Sequence, residues 1–165
     1  MPVGPGRVTL NSVFNYMLEF RSSDLPANPL VAYAGTFGTT ENGLNEGVFE
    51  YRVFSTLGYS LGAARAALQW EHRPSIDATA SVLDPDSPQL GAPSYNLFDL
   101  NVGYQLSEDV SLLLGVDNLF NKRPPLTSAD PGNDPGIGLL ASGVINGAFY
   151  DTQGKRFYLG ANVRF

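Results

Sequence analysis

The sequence predicts an all-β fold, a curved antiparallel meander of about six long strands. Three observations lead to this prediction. Apolar and polar residues alternate along several segments, the segments run to roughly 10–13 residues, and the connections between them are short and long in turn. Period-2 alternation is typical of a strand that has one apolar and one polar face.

The first three predicted strands cover residues 8–20, 48–60 and 62–75. Each places apolar side chains at nearly every second position, with Ser12 the exception in the first strand. The three apolar faces consist of Val8, Leu10, Phe14, Tyr16, Leu18 and Phe20; of Phe49, Tyr51, Val53, Leu57 and Tyr59; and of Ala64, Ala66, Leu68 and Trp70. Mainly polar and charged residues occupy the positions between them.

The last three predicted strands cover residues 95–106, 109–120 and 155–165, and the final one alternates without a fault. Their apolar faces consist of Phe98, Leu100, Val102, Tyr104 and Leu106; of Val110, Leu112, Leu114 and Val116; and of Phe157, Leu159, Ala161, Val163 and Phe165. The same pattern therefore recurs from the first strand to the last.

The lengths of the connections between the strands indicate a membrane sheet rather than a soluble one. Tight turns are predicted at Ser60-Leu61 and at residues 107–109, and long loops at residues 21–47, 77–94 and 122–154. Short turns on one side and long loops on the other are typical of outer-membrane barrels. The strands are also longer than the 5–6 residues usual in soluble proteins and long enough to cross a bilayer when tilted.

Aromatic residues support the same interpretation, because they gather near the predicted strand ends, as in the two interfacial girdles of a membrane barrel. Near the tight turns these are Tyr59, Tyr104 and Phe165; toward the long loops they are Phe20, Phe49, Trp70, Phe98 and Phe157. Although 43% of the residues are hydrophobic, no apolar run approaches the roughly 18 residues of a membrane helix.

Three stretches resemble the C-terminal end of TonB-dependent outer-membrane receptors: residues 95–104, residues 150–165 and, most specifically, the segment Gly115-Val-Asp-Asn-Leu-Phe-Asn-Lys-Arg-Pro-Pro125. Residues 25–36 are also similar to a loop of that family. The resemblance implies a 22-stranded barrel in the outer membrane of a Gram-negative bacterium, filled by an N-terminal plug and energised through TonB. It implies uptake of a scarce ligand such as a siderophore–iron complex, a vitamin or a saccharide.

Residues 1–165 contain no segment that resembles that family's plug, TonB box or signal peptide. About 600 residues would be needed for 22 strands at the density seen here. We therefore interpret residues 1–165 as a single partial domain, a C-terminal barrel segment that does not insert alone as a sealed pore, since single-chain barrels start at 8 strands. TonB would be reached only through the missing N-terminal region.

Two groups of residues are candidates for function. Tyr158, Gly160, Val163 and Phe165 resemble the C-terminal signal that the barrel-assembly machinery reads, and an exposed edge strand suits recognition by strand addition. Six charged residues are expected to face the lumen, where pairing among themselves is the simpler role: Glu50, Arg52, Arg65, Glu71, Asp99 and Asp117.

Composition argues against an enzyme, a cofactor or a metal site. The chain has no cysteine and one histidine, His72, so a zinc site lacks ligands, and no nucleophile motif surrounds that histidine. The net charge is −6, which disfavours nucleic acid. The predicted long loops hold nine acidic and three basic residues, a set that either steers cations or simply keeps the loops solvated.

Two alternatives to the receptor segment stay open at this level. One is a small self-associating outer-membrane barrel, porin-like, in which two copies would contribute their strands. The other is a soluble β-sheet binding protein that buries its apolar face, because a sheet with one wet face shows the same alternation.

Overall fold

The computed structural model describes residues 1–23, 26–27, 30–39, 45–79, 84, 86, 91–126 and 149–164. Its main feature is one seven-stranded sheet. In their order across the sheet, its strands are β1 (Pro2–Val3), β2 (Gly6–Tyr16), β7 (Tyr51–Leu61), β8 (Ala64–Arg73), β10 (Tyr95–Gln105), β11 (Val110–Asp117) and β12 (Arg156–Val163). Every neighbouring pair is antiparallel, which confirms the all-β meander. Within the described part of the chain the sheet is open, with β1 and β12 at its edges.

Three tight turns lie at one end of the sheet. The turn predicted at residues 107–109 is confirmed, since β10 ends at Gln105 and β11 begins at Val110. An additional turn joins β1 to β2, where Val3 pairs with Gly6. The turn predicted at Ser60-Leu61 is wrong, because the strand continues to Leu61, which pairs with Ala64. Gly62 takes the left-handed backbone conformation with φ 54°, and glycine at the first central position suits a two-residue hairpin.

At the opposite end, the strands stop earlier than predicted. Residues 17–20 lie outside β2, although the Met17 amide still donates to the Glu50 carbonyl at 2.8 Å. Val48 ends a separate short strand, and β11 ends at Asp117 because Asn118 turns the chain with φ 51°. The predicted Phe165 end of the last strand lies outside the described residues.

Two long connections contain short strands of their own. The first connection holds β3 (Arg21–Ser22) paired with β4 (Val31–Ala32), and then β5 (Thr36–Thr39) paired with β6 (Asn45–Val48). In the second, β9 (Asp77–Ala78) pairs in parallel with β5. The long loops therefore pack together, and they depart from the purely antiparallel meander that alternation predicts.

The main hydrophobic core of the described residues lies among these loops and the adjoining strand ends. It consists of Phe37, Phe49, Ile76, Ala92, Tyr95 and Tyr150. Phe49 is 5% exposed, so its predicted place in an outward aromatic girdle is wrong. Because this core sits at one end of the strands, it holds the loop end of the sheet together and leaves most of the strand surface uncovered.

Candidate functional site

The first candidate site is one whole face of the main sheet. The strand register aligns the apolar side chains of six strands into continuous rows on this apolar face. One row contains Leu10, Leu57, Leu68, Leu100, Val116 and Phe157, and the next contains Val8, Tyr59, Ala66, Val102, Leu114 and Leu159. Alternation in the sequence is thus converted into a single apolar surface.

This apolar face is open in the described part of the chain. Leu10 is 70% exposed, Phe157 71% and Leu159 77%, and none of the row residues is among the buried side chains. Burying apolar surface stabilises a protein by roughly 25 cal/mol per Å², so a surface of this extent favours an apolar environment. A contiguous exposed apolar patch of more than a few hundred Å² marks an interaction surface.

A pair of serines interrupts the apolar face. Ser12, the exception to the alternation in its strand, lies directly opposite Ser55. Their hydroxyl oxygens are 2.8 Å apart, so one hydroxyl donates to the other. Pairing therefore satisfies two polar groups that the apolar face would otherwise leave without partners.

Replacing both serines by valine is expected to be neutral or stabilising in a bilayer, because both hydrogen-bonding groups are removed together. Ser12→Val or Ser55→Val alone is expected to cost ~1 kcal/mol relative to the double variant, since it leaves one hydroxyl unpaired. Urea unfolding of the four proteins in lipid vesicles measures the coupling. Additive effects of the two single changes would contradict the account.

Aromatic side chains concentrate at the loop end of the apolar face. Trp70 stacks on Phe98 with ring centroids 6.5 Å apart, and Phe98 meets Phe120 edge to face at 5.3 Å. On the neighbouring strands, Phe14 packs against Tyr51 at 5.8 Å. The rings of Trp70 and Tyr51 are amphipathic, and tryptophan and tyrosine are typical of a membrane–water boundary.

The opposite face, called the polar face below, carries five of the six predicted lumen residues. Strand register and alternation place Arg52, Arg65, Glu71, Asp99 and Asp117 on this shared face. Glu50 is the exception. It lies in a bend before β7, it is exposed, and it accepts a hydrogen bond from the Tyr16 hydroxyl at 3.2 Å. Glu50 therefore belongs to the edge of the apolar face.

At the loop end of the polar face, charged and aromatic groups meet. The Arg73 Nε donates to Glu71 Oε1 at 2.7 Å, and its guanidinium lies 5.9 Å from the centre of the Tyr150 ring. The Arg52 guanidinium lies 4.8 Å from the centre of the Phe49 ring. Burial raises the pKa of Tyr150, although the two arginines act in the opposite direction. This cluster links the strands to the loop core.

A second charged cluster attaches the last strand to the loop before it. Arg156 lies 3.4 Å from Asp117 on the adjacent strand and 3.0 Å from Asp151 in that loop, and it also donates to Gln153. Its side chain is 40% exposed, so each ion pair contributes little to stability. The arrangement instead fixes the direction in which the chain enters β12.

The segment singled out by its resemblance folds into an elbow over residues 118–122. Asn118 and Asn121 both take left-handed backbone conformations, with φ of 51° and 52°. Asn118 is 1% exposed; its Nδ2 donates to the Lys122 carbonyl at 2.9 Å and its Oδ1 accepts from the Lys122 amide at 2.7 Å. The Asn118 amide donates to Asp99 Oδ1 at 2.7 Å, which ties the elbow to β10. Asparagine suits both tasks because it tolerates positive φ and bonds locally to the backbone.

The described residues of the predicted assembly signal lie in the edge strand. Tyr158 reaches across the polar face, where its hydroxyl donates to Asn101 Oδ1 and its ring lies over Gly115. Gly160 pairs with Leu113, and Val163 pairs with Val110. Phe165 lies outside the described residues. Among the described residues, one side of β12 carries no partner strand, as strand addition requires.

Gly115→Ala is expected to destabilise the chain by ~1–3 kcal/mol, because a Cβ there would overlap the Tyr158 ring and force it off Asn101. Tyr158→Ala removes the ring that the new Cβ would overlap. Gly115→Ala should therefore cost less stability in a Tyr158→Ala protein than in the parent chain. Thermal unfolding of the four proteins measures this coupling. If the two substitutions change the stability independently, the position of the Tyr158 ring does not depend on a glycine at position 115.

Several residues of these clusters were not predicted from the sequence. Arg73 and Tyr150 are brought together by the loop core, and no local pattern signals their contact. Asn118 and Asn121 did carry a signal, since asparagine three residues apart directly after a strand suggests turn positions. In the sequence, both asparagines stand out only as members of the segment that resembles the receptor family.

Comparison with known proteins gives no match among family models, curated proteins or solved structures. Among the described residues, no helix is long and apolar enough to cross a membrane.

Proposed function

We propose that this chain forms part of the wall of an outer-membrane transporter, namely the C-terminal portion of the 22-stranded barrel of a TonB-dependent receptor. The apolar face lies against outer-membrane lipid, and the polar face lines the interior. The intact receptor takes up a scarce small molecule with energy supplied through TonB, and the edge strand with Tyr158, Gly160 and Val163 is recognised by the barrel-assembly machinery.

The single observation that carries the proposal is the uncovered apolar face, continuous over six strands of 8–11 residues. Tilted strands of 9–11 residues span a bilayer, and only closed barrels let strands satisfy their backbone there. The two unpaired edges of the sheet agree with a wall that continues into further strands. Tight turns at one end and packed loops at the other agree with the layout of such barrels.

Cysteine labelling tests the placement of the wall. Because the chain has no cysteine, a single introduced thiol is labelled without background. Leu30→Cys in the first long loop is expected to react with a membrane-impermeant maleimide in intact cells, whereas Ala63→Cys in a tight turn should react only after the outer membrane is permeabilised. Equal labelling of both in intact cells would contradict the proposed orientation.

Transport is tested separately by deleting the gene and measuring uptake of labelled ferric siderophores, cobalamin and oligosaccharides. Uptake of one ligand is expected to fall to background, and a protonophore should cause the same loss in the parent strain. If the deletion strain takes up every ligand as the parent strain does, the proposed transport function is wrong. The proposed placement of the chain in the barrel wall is not affected by that result.

A second candidate function, a small self-associating outer-membrane barrel, is favoured by the two open edges. Long unpaired strand edges template pairing with another chain. Cross-linking in detergent distinguishes the candidates: a defined dimer supports the second, and a monomer that joins a larger barrel only with further strands supports the first.

A further inference from the structure

The loop end of the apolar face carries a hydrogen-bonded aromatic cluster. This cluster, called the Trp70 cluster, consists of Tyr51, Trp70, His72, Asn96 and Phe98 on β7, β8 and β10. Register places Asn96 opposite His72 and Phe98 opposite Trp70. All five side chains are partly exposed. They form the last rows of the apolar face before the loops begin, beyond the leucine rows.

The side-chain oxygen of Asn96 accepts two of the hydrogen bonds in the cluster. Asn96 Oδ1 accepts from Trp70 Nε1 at 2.9 Å and from His72 Nδ1 at 2.9 Å, because an amide oxygen can only accept. In the neutral imidazole the Nε2 is then the acceptor, and the Tyr51 hydroxyl lies 3.4 Å from it. Packing holds the rings as well, since His72 lies 5.8 Å from both Tyr51 and Trp70.

This arrangement leaves specific polar groups for a ligand. The oxygen of Asn96 is fully engaged, while its Nδ2 makes no hydrogen bond to another described residue. Two amide hydrogens and the lone pairs of the Tyr51 oxygen are therefore offered at the surface, beside the flat Trp70 and Phe98 rings. Aromatic surface flanked by an amide and a hydroxyl suits a sugar ring, which has apolar C–H faces and a rim of hydroxyls.

Charge favours a neutral sugar over a phosphate. Arg52 and Arg73, the cations nearest in sequence, lie on the polar face of the sheet by strand alternation. Glu50 lies at the Tyr51 side of the cluster, where it accepts a hydrogen bond from Tyr16, the residue paired with Tyr51. An anionic headgroup at this side would be repelled by the Glu50 carboxylate.

We propose that the Trp70 cluster binds the saccharide headgroup of a membrane glycolipid, so that the wall carries a lipid-recognition site at its loop-side boundary. This inference rests on the proposed function, since the site adjoins the apolar face that faces lipid. The lipid anchors the sugar from below: its acyl chains continue along the leucine rows while the headgroup stacks on Trp70.

The test uses the full chain in phosphatidylcholine bilayers and the emission of Trp70, the only tryptophan in the sequence. Adding galactosyl diacylglycerol is expected to change the emission saturably, and phosphatidylglycerol is not. Asn96→Asp keeps the oxygen acceptor for Trp70 and His72 but removes the amide donors, so half-saturation should require about tenfold more glycolipid. Gln69→Ala, on the opposite face beside Trp70, is the matched control and should respond like the parent.

Several outcomes would overturn the site: no response to the glycolipid, an equal response to phosphatidylglycerol, an unchanged response in Asn96→Asp, or an equal response to free galactose in place of the lipid. Quenching of Trp70 by brominated phosphatidylcholine separates this failure from that of the proposed function. If Trp70 is quenched but does not respond to the glycolipid, only the proposed glycolipid site is wrong. If Trp70 is not quenched, both the site and the proposed contact of the apolar face with lipid are wrong.

Discussion

Leu114→Arg is expected to exclude the chain from the bilayer, or to destabilise the inserted state by ~2–4 kcal/mol, the cost of a cation at the middle of a lipid-facing strand. Leu114 lies centrally on the apolar face, between Val102 and Leu159 on the adjacent strands. Flotation with lipid vesicles measures whether the chain associates with lipid, which does not require a sealed pore, and urea unfolding of the floated fraction measures the free energy.

The adjacent residue gives a matched control. Leu113 has the same side chain and is similarly exposed, at 38% against 49% for Leu114, but it lies on the polar face opposite Gly103 and Gly160. Leu113→Arg is expected to float with vesicles like the parent chain, since its guanidinium meets water. Equal loss of flotation for both variants, or for neither, would contradict the assignment of the two faces.

Asn118→Ala is expected to destabilise the chain by ~2–4 kcal/mol, the second large effect. The change leaves the amide and the carbonyl of Lys122 without their side-chain partners at a position that is 1% exposed. It also places a residue with a poor tolerance for positive φ at φ 51°. Urea unfolding followed by Trp70 emission measures the free energy.

Two further variants separate the causes. Asn118→Gly relieves the backbone conformation while losing the same side-chain bonds, so it should recover part of the loss. Asn121→Gly, at φ 52° with one side-chain bond of 3.2 Å from the Lys155 amide, is expected to cost less than about 1 kcal/mol. An Asn118→Ala protein as stable as the parent would show that the elbow does not depend on this side chain.

The two faces of the sheet could be predicted because they follow from local alternation. Once Leu57, Leu68 and Leu100 are in strands, pairing between neighbouring strands aligns them, and register errors would turn the apolar set to the other face. Even the exception was informative: Ser12 departs from the pattern where Ser55 does, and the two bond to each other. His72 follows the same alternation and lies on the apolar face near the end of β8.

What failed depends on backbone conformation or on distant contacts. The turn after β7 was placed two residues early, although Ser60 and Leu61 continue the alternation, because the chain reverses only at Gly62, where φ is positive. Phe49 fits the strand pattern, but the loop core draws it away from the apolar face. Glu50 fits the polar pattern, yet the strand begins only at Tyr51.

The loop-end clusters could not be predicted, because their members are far apart in the sequence. Arg73 meets Tyr150 only after the long loops pack on the strand ends, and periodicity gives no information about that packing. The Trp70 cluster could be predicted only in part. The strands that carry it were predicted, but the hydrogen bond between Trp70 and Asn96 depends on a register that the sequence does not specify.

Depth-dependent quenching of tryptophan fluorescence by brominated lipids tests the central claim, that the apolar face lies against lipid. Trp70 is expected to be quenched most by bromines near the headgroup. In a Trp70→Phe background, the tryptophan of Leu114→Trp should be quenched most by bromines deep in the acyl chain. The tryptophan of Leu113→Trp should be quenched neither by these bromines nor by those near the headgroup. Equal quenching of the Leu113→Trp and Leu114→Trp proteins, or an unquenched Trp70, would contradict the account.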